Sequence, residues 1–368
     1  MKIAILGTRG VPNHHGGFEQ FAEFFSVYLH DKGHDVSVYC SSLHPYTQEE
    51  FKGVKRIVCF DPENKIGTAG QFVYDLNCIL DARKRNFDII LQLGYTSSSI
   101  WHFLMPKKSL VITNMDGLEW KRSKYNKYIQ KFLKIAEKLA INNSHKLVSD
   151  SIGIQNYIKK EYKKESKFIA YGADLFTNPN FSKISSIVQE PYSYNLLIAR
   201  MEPENNIETI IKGYVNGNFS SKLYLVGNQF GTSFGKYLFE TYSHHENIVF
   251  LGAIYDLEKL NNLRYYSNLY FHGHSVGGTN PSLLEAMSSN CCIVAHNNIF
   301  NKSILEEDAY YFTTENDIAK FKTIQKSDIK ESIFIKNNIQ KIEEKYNWDS
   351  INESYLSYFK ECLKEIKY

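Results

Sequence analysis

The chain has no Cys-x-x-Cys pair, no Asp-x-Asp pair and no uninterrupted apolar run near the roughly 20 residues needed to cross a bilayer. Each absence closes a class of function. The six cysteines (Cys40, Cys59, Cys78, Cys291, Cys292, Cys362) lie mostly in apolar company, so reduced, buried thiols in a cytosolic protein are expected rather than a disulfide framework. With no Asp-x-Asp pair and no His/Cys/carboxylate cluster at ligand spacing, no metal is expected. Charge of one sign is also lacking: 43 Lys and Arg face 40 Asp and Glu, a net +3, too even to argue for nucleic acid. The opening KIAILG run is short and enters a glycine turn at once, as a first strand does, so no signal peptide is expected. There is no repeat of solenoid period and no low-complexity segment. At 368 residues the chain can bury two cores.

What is present is a recurring α/β pattern. Residues 2–6 (KIAIL) read as a buried parallel strand, followed by Gly7-Thr8-Arg9-Gly10-Val11-Pro12 and then Gly16-Gly17-Phe18. Phe18, Phe21, Ala22, Phe25 and Leu29 follow at helical spacing, which gives that helix one apolar face. The loop lacks the G-x-G-x-x-G spacing of a dinucleotide fingerprint; Gly16 and Gly17 suit a loop lying close over a ligand. Further strands are expected at 35–40, 54–59, 88–92, 109–113, 146–149 and 167–170. Asp116 follows the 109–113 strand, where ligands of open α/β sheets bind, though a carboxylate there can equally cap a turn. His14, His15 and His102 are alternative polar contacts in the same region.

Residues 121–138 carry Lys121, Arg122, Lys124, Lys127, Lys131, Lys134 and Lys138 against Glu137 alone, with Tyr125, Tyr128, Ile129, Phe132, Leu133, Ile135 and Ala136 between them. This reads as a basic amphipathic helix. With Trp101-His102-Phe103-Leu104-Met105-Pro106-Lys107-Lys108 upstream, it suits the edge of an anionic bilayer; a solvated helix face with an inward aromatic stripe fits the same residues.

The polar stretch 177–193 reads as a linker, after which the pattern restarts: strand 194–199, helix 205–215, and strands 222–226, 247–251, 268–272 and 291–295. Arg200 follows its first strand, where a guanidinium can hold a diphosphate or pair with Glu202 or Glu204. Gly227 and Gly252-Ala253-Ile254 end neighbouring strands, with room for a flat base read by the peptide groups at Ile254. In GGTNPSLLEAM (277–287), Gly277 and Gly278 allow a tight turn, and Pro281 and Ser282 can start a helix whose first-turn amides face an anion. Glu285, one turn in, can accept two ribose hydroxyls; an ordinary strand–loop–helix joint with a solvated glutamate is the plainer alternative. A final helix at 351–366 can pack on either domain.

Taken together, KIAILGTRGVPNHHGGFEQFAE, MDGLEWKRSKY, YGAD, ARMEPENN, GHSVGGTNPSLLEAM and the terminal YNW resemble the retaining glycosyltransferases of family 4, within them the bacterial polysaccharide rhamnosyltransferase-like group. The resemblance implies an α/β GT-B fold, two Rossmann-like domains facing across a cleft: 1–175 on the acceptor side, 176–350 holding the nucleotide sugar, the last helix (351–368) returning to the first. It implies sugar transfer with retained configuration, without cofactor or metal, to a polyprenyl-diphosphate-linked saccharide at the inner face of the cytoplasmic membrane. A nucleotide-sugar epimerase of the same fold and a non-catalytic sugar-nucleotide-binding protein are the alternatives, with His14, His15, Asp116 and His274 as the acids and bases an epimerase would need. Asp116 and Arg200 are expected at the chemistry. Gly16, Gly17, Asn205, Gly227, Ile254, Gly278, Thr279, Asn280, Pro281, Ser282, Leu283 and Glu285 join Arg200 around the donor. Glu285 matches the second of two glutamates eight apart in the wider family; Gly277 stands at the first, and Asn205 at about the place of the usual lysine. Backbone amides from Thr279 to Ser282 then carry more of the contact with the donor.

Overall fold

The computed structural model describes residues 1–14, 16–115, 117–122 and 125–366. The chain forms two compact units, one of Met1–Lys121, Tyr125–Tyr171 and Trp348–Tyr368, the other of Arg122–Lys124 and Gly172–Asn347.

The first unit holds β1 (Lys2–Leu6), β2 (Asp35–Ser41), β3 (Glu50–Phe51), β4 (Val54–Cys59), β5 (Ile89–Leu93), β6 (Leu110–Met115), β7 (Lys146–Ser149) and β8 (Lys167–Phe168). Their order is β3-β4-β2-β1-β5-β6-β7-β8, parallel except for the β3–β4 pair. Ile3, Ile5, Ile89, Ile90 and Leu91 are sealed from solvent, as strands with helices on both faces must be. The helix Gly17–Asp31 buries Phe21, Phe25 and Leu29. Its neighbour is the long helix Trp348–Ile366: Phe24 stacks on Trp348 at 4.4 Å, and Tyr355 lies 4.8 Å from Phe21 and 5.1 Å from Phe25. Each fully buried phenyl contributes about 1.5–3 kcal/mol.

The second unit repeats the plan with β9 (Tyr194–Ile198), β10 (Lys222–Val226), β11 (Ile248–Gly252), β12 (Tyr270–His272), β13 (Ile293–His296) and β14 (Tyr310–Phe312), in the order β11-β10-β9-β12-β13-β14. All pairs are parallel. In both sheets the first strand has neighbours on either side that lead away in opposite directions. The chain order therefore reverses at β1 and at β9, and the loops beyond those strand ends are where such sheets bind ligands.

Several boundaries differ from the sequence expectations. The basic segment is not helical from residue 121: a 3-10 turn covers Glu119–Lys121, and the helix runs Lys127–Asn143 because the Asn126 side chain accepts from the amides of Tyr128 and Ile129. The helix expected at 205–215 is Ile207–Asn216, after a 3-10 turn Pro203–Asn205, and the final helix begins at Trp348. The strand expected at 167–170 is only Lys167–Phe168, and β3 and β14 were not anticipated.

Candidate functional site

The reversal at β9 brings three segments together within the second unit: Arg200 just past β9, the turn Pro203–Asn205, and the loop after β12. Gly273 opens that loop against the turn. A Cβ there would stand 1.9 Å from the Asn205 carbonyl oxygen, so only glycine allows the approach. Asn205 is buried; its Nδ2 donates to the Arg200 carbonyl (2.7 Å) and its Oδ1 faces His274 Nδ1 (2.9 Å). Asn206 Nδ2 donates to Gly273 O (2.8 Å), and Asn298 and Asn301 both donate to His274 O at 3.0 Å. The loop is thus fixed from both sides.

Because the Asn205 amide already donates to Arg200, its oxygen must accept, so His274 carries its proton on Nδ1 and presents a lone pair at Nε2. Burial, then the charges of Arg122 and Arg200, pull the His274 pKa down to about 3. The ring is neutral near pH 7. Its Nε2 lies 2.9 Å from where a Cβ on Gly277 would stand, and Gly277 has φ +134°, so a side chain at 277 is barred by both space and backbone. Neighbouring His272 is buried, its pKa also pushed well down by burial, and its Nε2 has no partner among the described residues.

Arg200 is exposed and has no ion-pair partner among the described residues. The carboxylate of Glu204, one of its two expected partners, pairs instead with Arg122 at 3.3 Å. Glu285 is not simply solvated: Arg264, wholly buried, donates to its Oε2 at 2.5 Å. Arg264 also reaches Asn261 Oδ1 (2.9 Å) and Ser282 Oγ (3.4 Å), and Ser282 Oγ meets Tyr270 Oη at 2.9 Å. The pair holds the carboxylate through Oε2, on a side chain that is 24 % exposed.

The first turn of helix Pro281–Ser288 differs from expectation. Pro281 has no N–H, the Ser282 amide is taken by Asn280 Oδ1 (2.9 Å), and those of Leu283 and Leu284 by Asn280 O (3.0 and 3.3 Å). The first-turn amides of this helix are therefore already engaged within the chain and are not left open for an anion. Gly227 lies against the backbone, its missing Cβ 2.2 Å from Ala199 O, and its amide bonds to Gly252 O (2.9 Å). Ile254, two residues beyond β11, is half-buried.

In the first unit Gly16 is exposed and extended (φ −178°) at the start of helix Gly17–Asp31, where a Cβ would meet only Glu19 Oε2 at 3.7 Å. Among the described residues nothing requires glycine at 16. Asp116, His15 and Lys124 lie outside the described residues. His14 packs edge-on to His44 (5.2 Å), and His102 Nδ1 bonds to Ser99 O (3.0 Å). The 101–108 patch turns largely inward: Trp101 Nε1 donates to Phe72 O and the ring packs with Leu104 and Met105 on the core, while Phe103 is 63 % exposed. On helix Lys127–Asn143, Tyr128, Ile129 and Ile135 are exposed beside Lys127, Lys131 and Lys138. Among the described residues no group of three or more His, Cys, Asp or Glu could hold a metal, and no helix is long and apolar enough to cross a membrane.

A family model described as a domain of unknown function (DUF1972) matches residues 1–174. No curated protein matches the chain. Among solved structures it is similar to a sucrose-phosphate synthase from Thermosynechococcus elongatus (15 % identity, 99 % of each chain, TM-score 0.80). It is also similar to Alr3699/HepE of Anabaena, solved with UDP and glucose (16 %, 98 % of this chain and 99 % of that one, TM-score 0.73). A glycosyltransferase from Rickettsia africae matches at 14 % identity over 99 % of each chain, TM-score 0.69. The likeness spans both units and defines the fold as GT-B, built from two Rossmann-like α/β domains.

Proposed function

We propose that this chain is a retaining glycosyltransferase that takes a sugar from a nucleotide donor, with L-rhamnose from dTDP-rhamnose as the preferred assignment, and places it on a polyprenyl-diphosphate-linked saccharide in cell-surface polysaccharide synthesis. The observation that carries the reading is Arg200: an exposed cation without an ion pair among the described residues, at the strand-order reversal, beside a neutral histidine and a glycine loop. Several relatives of this fold were solved with UDP or a UDP-sugar.

In this reading Arg200 binds the diphosphate and stabilises the charge that develops as the glycosidic bond breaks, as preorganised donors do in general. Gly278, Thr279 and Asn280 line the approach of that anion. His274 Nε2 accepts from a hydroxyl of the donor sugar, and its neutrality keeps a second cation from trapping the departing diphosphate. Glu285 Oε1 accepts from the ribose, while the base lies against Gly227 and Ile254. Gly16 and Gly17 lie over the sugar, and Asp116 acts with Arg200 at the chemistry. Lys127, Lys131 and Lys138, with exposed Tyr128 and Ile129, bring the acceptor side to an anionic membrane surface at the cytoplasmic face.

The test is turnover of dTDP-, UDP- and GDP-sugars with polyprenyl-diphosphate saccharides, followed by product analysis. Saccharide product of retained configuration is expected. No product with any donor overturns the reading, and free epimerised sugar formed from donor alone replaces it with an epimerase of the same fold.

A further inference from the structure

On the first unit, the turn Glu119–Lys121 and the helices Lys127–Asn143 and Ile152–Tyr162 enclose a groove of about 590 Å³, a size typical of small-molecule sites. Trp120, Lys131, Lys134, Lys138, Glu161 and Tyr162 line it. Behind three of its lining residues, Trp120, Lys134 and Tyr162, lies a buried carboxylate. Glu137, 1 % exposed, accepts from Trp120 Nε1 (3.0 Å), Lys134 Nζ (3.0 Å), Tyr157 Oη (2.7 Å) and Tyr162 Oη (2.6 Å). Burial and the adjacent carboxylate raise the pKa of both tyrosines, which keeps their hydroxyls as donors.

Lys134 is held in one place by this network. Its ammonium sits over the rings of Trp120 (4.6 Å), Tyr157 (4.8 Å) and Tyr162 (5.1 Å) and bonds to the Tyr157 hydroxyl. A lysine side chain ordinarily loses much rotamer freedom on binding a ligand; here that ordering is already done. Lys131 and Lys138 stand three residues before and four after it, on the same helix face. Both are exposed, and neither has an ion-pair partner among the described residues. Like charges at this spacing disfavour a helix, and an anion in the groove reverses that cost. Lys121, outside the lining, adds a cation 5.3 Å from the Trp120 ring. The lysines outnumber the two carboxylates, Glu137 and Glu161.

We propose that this groove is a binding site for a phosphate or diphosphate group, gripped by Lys131, Lys134 and Lys138 and walled by Trp120 and Tyr162. The site is separate from the donor residues on the second unit, and it differs from diffuse attraction to a membrane in needing particular lysines. The group can be free or carried on a lipid.

The experiment titrates the full chain carrying Arg200→Ala, which removes the donor-side cation, with inorganic pyrophosphate and with phosphatidylcholine vesicles containing polyprenyl diphosphate. Binding is read by calorimetry and tryptophan fluorescence. At least one probe is expected to bind. Adding Lys131→Gln and Lys138→Gln weakens that binding by about ten-fold or more, since two charge-assisted contacts are lost. The same loss of charge at exposed Lys160, on the neighbouring helix, and exposed Lys164, just past its end, neither of them lining the groove, leaves it unchanged. Binding of pyrophosphate identifies a free anion as sufficient; binding of the doped vesicles alone identifies a lipid-borne diphosphate. No binding of either probe, or equal weakening by the two lysine pairs, overturns the proposal. Sugar transfer is scored separately, so failure of the transferase reading leaves this result standing.

Discussion

Two arginines of the second domain occupy opposite environments. Arg200, at the end of β9, is exposed and without an ion pair among the described residues, whereas Arg264 is sealed in the core and bound to Glu285 at 2.5 Å. A guanidinium in water is available to a ligand and adds little to the fold. A buried one is part of the fold, and in the proposed function it acts on the donor only through the carboxylate it orients. The contrast gives each residue a different signature, and four measurements can break or sharpen it.

The largest effect belongs to Arg200→Ala. It is expected to lower kcat for sugar transfer by about 10²–10³-fold, some 2.7–4 kcal/mol, because the transition state loses more charge stabilisation than the ground state. The midpoint of urea unfolding should stay within about 0.5 kcal/mol of the parent. A stability loss as large as the kinetic loss would erase the distinction between the two arginines.

Arg264→Met should do the reverse. Removing one partner of a buried ion pair costs about 3–5 kcal/mol, and the lower end applies because Glu285 is partly exposed. Urea unfolding measures it. An unchanged midpoint would show that Arg264 is held there for the ligand and not for the fold.

Glu285→Gln lies between them. It keeps an acceptor oxygen but loses a charge-assisted pair, about 1.5–3 kcal/mol, so nucleoside diphosphate should bind about 10- to 150-fold more weakly while kcat falls less. For dTDP donors, which lack the 2′-hydroxyl, the loss sits at the low end. Calorimetry beside steady-state kinetics decides it: normal nucleotide binding with a collapsed kcat would move Glu285 to the reacting sugar.

The smallest effect is that of pH on His274. Its folded pKa of about 3 lies below the ordinary value, so between roughly pH 6.5 and 3 the unfolded chain binds the extra proton. Stability from this group is complete above that window and is lost as pH falls through it, with a slope of up to about 1.4 kcal/mol per pH unit. His274→Gln should flatten the urea-midpoint profile in that window; parallel profiles for the two proteins would contradict a neutral, buried ring.

The fold class was legible because strands such as KIAIL and YNLLIA are continuous apolar runs separated by helical periods, which is how a sheet covered on both faces reads. Glu50–Phe51 and Tyr310–Phe312 escaped because two or three residues carry no period; they become strands only by pairing with β4 and β13. The basic run 121–138 was continuous in composition, yet one asparagine side chain at 126 decided where the helix starts. In the second domain, Arg200 and the GGTN loop announced themselves by chemistry and glycine. Arg264 did not, since an arginine on a polar helix looks like a solvated one until Glu285, 21 residues away, is brought against it. The Asn205–His274 pair spans 69 residues and has no local signal either, although the histidines of HGHSVGG could have been read together with it.

The helix Trp348–Ile366 belongs to the first unit although the whole of the second unit precedes it in the chain. During synthesis, Phe21 and Phe25 therefore leave the ribosome well before Tyr355 and Phe359, the rings that will cover them. The second unit is complete in sequence by Asn347 and can close on its own, while the older half waits with an aromatic face uncovered. The order of birth and the order of completion are thus opposite. A chain cut short before residue 348 would carry a finished second domain attached to a first that lacks its last layer, and that unfinished face is where chaperones or aggregation would act first.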